Sequence, residues 1–209
     1  MPAARSGWWR TTASSGLSPM AFARILAGAC LALAFSGSAC ARGPIAPVQR
    51  MDLPGFMGRW YVIASIPTRL EKDGYDAVET YRLQGDGSIC TSLRFRPGGF
   101  DAPVKLIHSQ ATVVPGRGNA EWKVHLFWFM HAQYLVGWLA PDGNQVLVVR
   151  DARDYLWYMA RTPTVGAADY RAMLARAEAL GYDIAKVRRT PQRWPEKDPG
   201  SKVFESPCR

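Results

Sequence analysis

The chain has 209 residues, a formal charge of +9 and an apolar fraction of 48%, enough for one domain with a real core but not for two once a leader is removed. Its 26 Lys and Arg residues are scattered, with no basic helical face and no zinc-finger spacing, which argues against a nucleic-acid binder and for a solubilising surface or attraction to anionic lipid headgroups. No HExxH, CxxC, glycine-rich phosphate loop or mature GxSxG elbow occurs, so neither a metal site, a cofactor nor a catalytic residue is expected.

Residues 1–39 carry Arg5, Arg10 and Arg24 and no acid, followed by an apolar run from Ile25 to Phe35. A basic region before a short apolar core is the pattern of a secretory signal, and the core falls short of the roughly 20 apolar residues that span a bilayer. A start at Met20 in place of Met1 would give a more ordinary signal length. Ser36-Gly37-Ser38-Ala39 precede Cys40, a spacing that resembles the processing site of bacterial lipoproteins, although Gly37 stands where leucine is usual. Lipidation of Cys40, ordinary secretion and an uncleaved anchor all remain open. Residues 41–50, with two prolines and a glycine, read as a tether.

From residue 51 to 194 the chain reads as a series of short β-prone runs broken by turn signals. Strands are expected at 59–66, 77–83, 88–95, 106–113, 122–127, 134–139, 145–149 and 155–160. Asp86-Gly87 makes a tight hairpin between the second and third, because glycine reaches positive φ at little cost; Pro141-Asp142-Gly143-Asn144 turns the sixth into the seventh. Eight runs with short links imply an antiparallel meander without crossover helices, and such a meander removes its edges by closing into an up-and-down β-barrel. One segment has helical period: Tyr170, Met173, Leu174, Ala177 and Leu180 share a side and Gly181 stops it, so a single C-terminal α-helix should lie against the outside of the barrel. Residues 184–187 are expected to add a short ninth strand, and residues 195–209 to form a flexible tail.

The aromatic residues crowd around the fifth and sixth strands. Trp122, Leu126, Trp128, Tyr134 and Trp138 either fill a core or line a cavity; the strand count favours the cavity, since an eight-stranded barrel has room for one small ligand. Arg94, Lys105 and His108 are candidates to meet a polar ligand end. His125 alternates with Trp122, Val124 and Leu126 and should face solvent. Cys90 is either a small buried hydrophobe or, with Cys208, half of a disulfide allowed in an oxidising compartment.

Leu53-Pro54-Gly55-Phe56-Met57-Gly58-Arg59-Trp60-Tyr61 resembles the opening signature of the lipocalin (calycin-type) family, and Asp154 through Arg161-Thr162-Pro163 is similar to the end of its last barrel strand. Within that family the match is to bacterial outer-membrane lipocalin lipoproteins and apolipoprotein D. The resemblance runs from Asp52 to Trp194. It implies that Trp60, entered through Gly58, plugs the closed end while the Arg161 guanidinium packs over the indole and bonds nearby carbonyls, a structural role. One departure is Ala140-Pro141-Asp142-Gly143 where the family commonly has threonine-aspartate-tyrosine. The resemblance further implies an outer-membrane lipoprotein on the periplasmic side, or else a secreted or free periplasmic protein. Its ligands would be fatty acids, lysophospholipids or related lipids, with a barrel enzyme acting on a hydrophobic substrate or a ligand-free envelope scaffold as the alternatives, and aromatic excess near Trp128 leaves room for a homodimer.

Overall fold

The computed structural model describes residues 43–69, 71–127 and 130–195; Cys40, Trp128 and Cys208 lie outside the described residues. A one-turn helix α1 (Leu53–Phe56) leads into β1 (Gly58–Ile66), followed by β2 (Gly74–Leu83), β3 (Ile89–Pro97), β4 (Lys105–Val113), β5 (Glu121–Phe127), β6 (Met130–Leu139), β7 (Gln145–Val149) and β8 (Leu156–Ala160). Each strand pairs antiparallel with the next, and β1 pairs with both β8 and β2, so the sheet closes. The result is an eight-stranded up-and-down barrel with one long helix, α2 (Ala167–Ala179), near the carboxyl end.

The turns form for the reasons visible in the sequence. Asp86 accepts hydrogen bonds from the Ser88 amide (2.9 Å) and hydroxyl (2.7 Å) while Gly87 takes φ +83°. Asp142 accepts from the Asn144 amide at 3.0 Å, and Ala140 N–H bonds Gln145 O at 2.8 Å. These side-chain bonds replace the ladder partners that a turning backbone loses.

Strand alternation then divides the apolar residues between two cores. Tyr134, Val136, Val146, Val148 and Met159 point into the barrel, whereas Leu135, Leu147, Val149 and Tyr158 point outward. The outward set is covered by Met173 and Ala177 of α2, both buried. This double burial explains why β7 is almost continuously apolar, a composition that alternation for a one-sided strand would not produce.

Two segments differ from expectation. From Gly43 on, the stretch read as a tether is laid on the barrel: Ile45 is buried, its amide donates to Asp151 Oδ1 at 2.6 Å, and Val48 N–H bonds Val136 O at 2.9 Å. A strand over 184–187 does not form. Ile184–Lys186 is a 3₁₀ turn capped by Asp183, whose Oδ1 accepts from Ala185 N–H, and its apolar residues pack on the outer core. The ninth strand comes later, β9 (Arg188–Arg189), against Ala64 and Ser65 of β1. It continues as a strap across the place where β1 and β2 part after only four paired residues: Thr190 N–H bonds Ile63 O, Asp76 N–H bonds Pro191 O, and the Gln192 amide donates to Val62 O (2.7 Å) and Ala77 O (3.0 Å). Backbone groups on two separating strand edges would otherwise go unpaired.

Candidate functional site

The closed end is built around Trp60. Gly58 sits at φ +90°, a conformation open to glycine at little steric cost, with Arg161 against it. That kink carries the chain from α1 into β1 with Trp60 fully buried and its Nε1–H donating to Phe56 O at 2.9 Å. The Arg161 guanidinium lies 3.8 Å from the indole centroid and donates to the carbonyls of Arg59 and Gly55 (each 2.8 Å) and Phe56 (3.1 Å). Four backbone and ring contacts on one planar cation lock α1, β1 and the end of β8 together.

Above Trp60 the rings continue. Phe56 packs on Tyr81 and Trp122, and Trp122 stacks on Tyr134 with centroids 4.4 Å apart and planes 4° from parallel. Tyr134 donates its hydroxyl proton to Tyr81 Oη at 3.0 Å, and Tyr81 bonds the Met159 sulfur. Burial holds both phenols well above their ordinary titration range, so they stay protonated.

On this aromatic floor rests a cavity of about 480 Å³, within the usual range for small-molecule sites. Leu93, Ile107, Val124, Ala132 and Met159 form apolar walls, and Arg69, Arg150, Asp154, Tyr155 and Trp157 line the end away from Trp60. Thr91 and Ser109, opposite each other on β3 and β4, join their hydroxyls by a hydrogen bond. Arg150 bonds Asp154 at 3.1 Å and lies over the Tyr155 ring.

Two carboxyls also face this space. Glu71, from the loop after β1, accepts from Thr68 Oγ1 (2.8 Å) and Trp157 Nε1 (2.9 Å); burial raises its pKa against those two bonds. Glu79, on β2, is half-buried and lines the cavity. Burial, with the charge of Glu71 adding to it, pushes its pKa up to about 8.

A tryptophan plug under a stacked arginine, a closed eight-stranded meander and an apolar interior match one family. A lipocalin-like domain model covers residues 51–192. The chain belongs to the lipocalin family. It is similar to temperature-induced lipocalin-1 of Arabidopsis thaliana, 30% identical over 151 residues, with 69% of this chain and 81% of the relative covered. It is also similar to the outer membrane lipoprotein Blc of Escherichia coli K12, 31% identical over 157 residues, covering 75% and 87%. The solved structure of insecticyanin from the tobacco hornworm Manduca sexta superposes with a TM-score of 0.57 at 14% identity, covering 73% of this chain and 86% of that one, a likeness of fold. Lipocalins bind small hydrophobic ligands.

In this lipocalin the residues singled out from sequence are distributed unevenly. Tyr134 lines the cavity. Trp122 does not: its register opposite Val113 and Tyr134 places it in the closed-end ring cluster, with Nε1–H bonded to Asn119 O at 2.7 Å. Trp138 is outside the barrel. A bulge between Val136 and Trp138 reverses the alternation, so Trp138 stands opposite outward-facing Leu147, joins the outer core and receives Arg176 over its ring at 4.4 Å. For Leu126 only the backbone in β5 is described.

None of the three polar candidates faces the cavity. Arg94 is buried on the outward side of β3, because Leu93 and Phe95 on either side point in; it reaches Asp76 O at 3.4 Å and Trp194 at 5.6 Å. Lys105 is exposed, 5.7 Å from the Phe95 ring. His108 lies between inward Ile107 and Ser109 and so bonds Ser92 on the outer surface at 3.0 Å. His125 likewise meets Thr112 on the exposed side. Cys90 is disulfide-bonded. Sequence reasoning overlooked Glu71, Glu79, Tyr81 and Met159. For Glu79 a signal existed: it shares strand parity with Ala77 and Tyr81, an acid on the apolar face of β2.

Proposed function

We propose that this lipocalin binds, stores or carries a lipid such as a fatty acid or lysophospholipid in the barrel cavity, by binding alone and without a chemical step. The observation that carries the reading is the cavity itself: about 480 Å³ of space walled by apolar side chains above a sealed aromatic floor. Each CH₂ moved from water into such a space contributes about 0.8 kcal/mol, so one alkyl chain supplies ample affinity with no specific polar contact. Kinship with an outer membrane lipoprotein and the signal-like residues before Cys40 support acylation of Cys40, a location on the periplasmic side of the outer membrane and a role in envelope lipid maintenance. Two or more acyl chains are needed for stable anchoring.

Organic-solvent extracts of purified protein should contain lipid, and titration with fatty acid should change tryptophan fluorescence, given Trp157 in the lining. Repeated absence of lipid together with an unresponsive fluorescence would defeat the container reading. For the anchor, radiolabelled palmitate should appear on the wild type and not on Cys40→Ser; no label on either refutes it. Cross-linking at low concentration tests for a homodimer, which a monomer at all concentrations would exclude.

A further inference from the structure

The cavity polar groups are mostly spoken for. The Tyr81 and Tyr134 hydroxyls bond each other and Met159, Thr91 pairs with Ser109, Glu71 is held by Thr68 and Trp157, and Gln133 is tied to Asp151 through both its amide atoms. Glu79 is different: its carboxyl opens into the cavity, and no hydrogen bond or ion pair holds it among the described residues. In the β-ladder it stands opposite Trp60 on one side and Leu93 on the other, one inward position above Tyr81. It therefore sits next to the floor.

An alkyl end pressed against that carboxyl would bury it without a partner, which opposes binding. A ligand group able to hydrogen-bond there avoids the cost. Building on the container reading, we propose that Glu79 is the specificity-determining group of the cavity, donating a hydrogen bond as the uncharged acid to an oxygen acceptor at the inner end of an otherwise apolar ligand. Hydroxyl, ester carbonyl and protonated carboxyl oxygens all qualify, so a fatty alcohol, ester or acid enters with its oxygen end first.

The surroundings favour the neutral donor over a buried ion pair. The titratable groups facing Glu79 are Glu71 from the loop after β1, Tyr81 on its own strand and Tyr134 from β6, each uncharged or negative; β1, β3 and β8 present Trp60, Leu93 and Met159. No cation stands beside it among the described residues: Arg161 lies beneath the floor, over Trp60, and Arg69 and Arg150 are at the mouth. Burial that drives the pKa to about 8 keeps the proton in place near neutrality. A lysophospholipid held by its phosphate at Arg69 and Arg150 would instead direct its alkyl end at Glu79, so among the lipids of the container reading it is the weaker ligand.

The test uses the purified full chain, delipidated, with three probes of matched chain length: methyl dodecanoate, whose ester can only accept a hydrogen bond, dodecane and dodecyltrimethylammonium, each read by tryptophan fluorescence. In Glu79→Leu the ratio of methyl dodecanoate to dodecane affinity should fall about tenfold. Glu79→Gln, whose amide also donates, should keep most of the ratio and lose its pH dependence. In the wild type that ratio should decline as pH rises through about 8. An unchanged ratio in a folded Glu79→Leu variant, or a wild type that at pH 6 binds the ammonium probe more tightly than Glu79→Leu does, would overturn the assignment while leaving the container intact. Failure of every probe to bind would remove both. Should Glu79→Leu not fold, a Glu79→Gln protein as pH-dependent as the wild type would overturn the assignment by itself.

Discussion

The titration of Glu79 makes the stability of the empty barrel depend on pH in a direction opposite to that of a salt-bridged carboxylate. In the unfolded chain the group titrates at its ordinary 4.5, and in the barrel at about 8. The folded state thus binds a proton that the unfolded state releases, so the contribution is fully favourable below about pH 4.5 and is lost as pH rises to about 8. At roughly 1.4 kcal/mol per pH unit, the loss amounts to about 3 kcal/mol near neutral pH and levels off at about 5 kcal/mol above pH 8. Glu71, raised in the same direction, adds to the slope. Replacing Glu79 by Gln removes the titrating group while keeping its shape, so the variant should be more stable than the wild type near neutrality by up to about 3 kcal/mol, or about 6–12 °C in Tm for a chain of this size. Urea unfolding of both proteins across pH 4.5–9 is the assay, with acid-side values nearly coincident and curves diverging upward in pH. Parallel curves would show that the carboxyl is hydrated in the barrel and would refute the reasoning.

Trp60→Ala should lower stability by about 3–5 kcal/mol and Arg161→Ala by about 2–4 kcal/mol, with little change in the order of lipid preference, since both act beneath the cavity floor; near-wild-type thermal midpoints would contradict this. Leu93→Trp should fill the cavity and weaken fatty-acid binding tenfold or more, whereas Trp138→Ala should leave binding unchanged and loosen α2, as fluorescence titration and thermal melting of the two variants will report. Assigning Cys208 as the partner of Cys90 predicts that Cys208→Ser gains a thiol titratable without reductant; a thiol count that does not rise excludes that pairing.

Much of the fold was legible because its signals are local. Strand runs, the Asp86-Gly87 and Pro141–Asn144 turns and the helix ending at Gly181 depend on residues a few positions apart, and the Gly58–Trp60 and Arg161 segments are short enough to resemble a family on sight. The cavity lining was less legible. Tyr134 was found by strand face, but the same parity carried to Trp138 failed at the bulge after Val136, and Arg94, Lys105 and His108 were chosen as polar groups able to meet a polar ligand end, a property that does not fix which face they occupy. Their neighbours Leu93, Phe95, Ile107 and Ser109 occupy the inward positions instead.

What the sequence by itself determined was the class of object: an antiparallel barrel with one outer helix, specified by period and turn chemistry within each short segment. Tertiary structure decided which face of each strand looks inward, how the strap after β9 bridges β1 and β2, and that an acid lines the cavity near the floor. The physical reason is that side-chain direction in a sheet has period two, so one extra residue in a bulge exchanges inside for outside, and the environment of Glu79 exists only once distant strands enclose it.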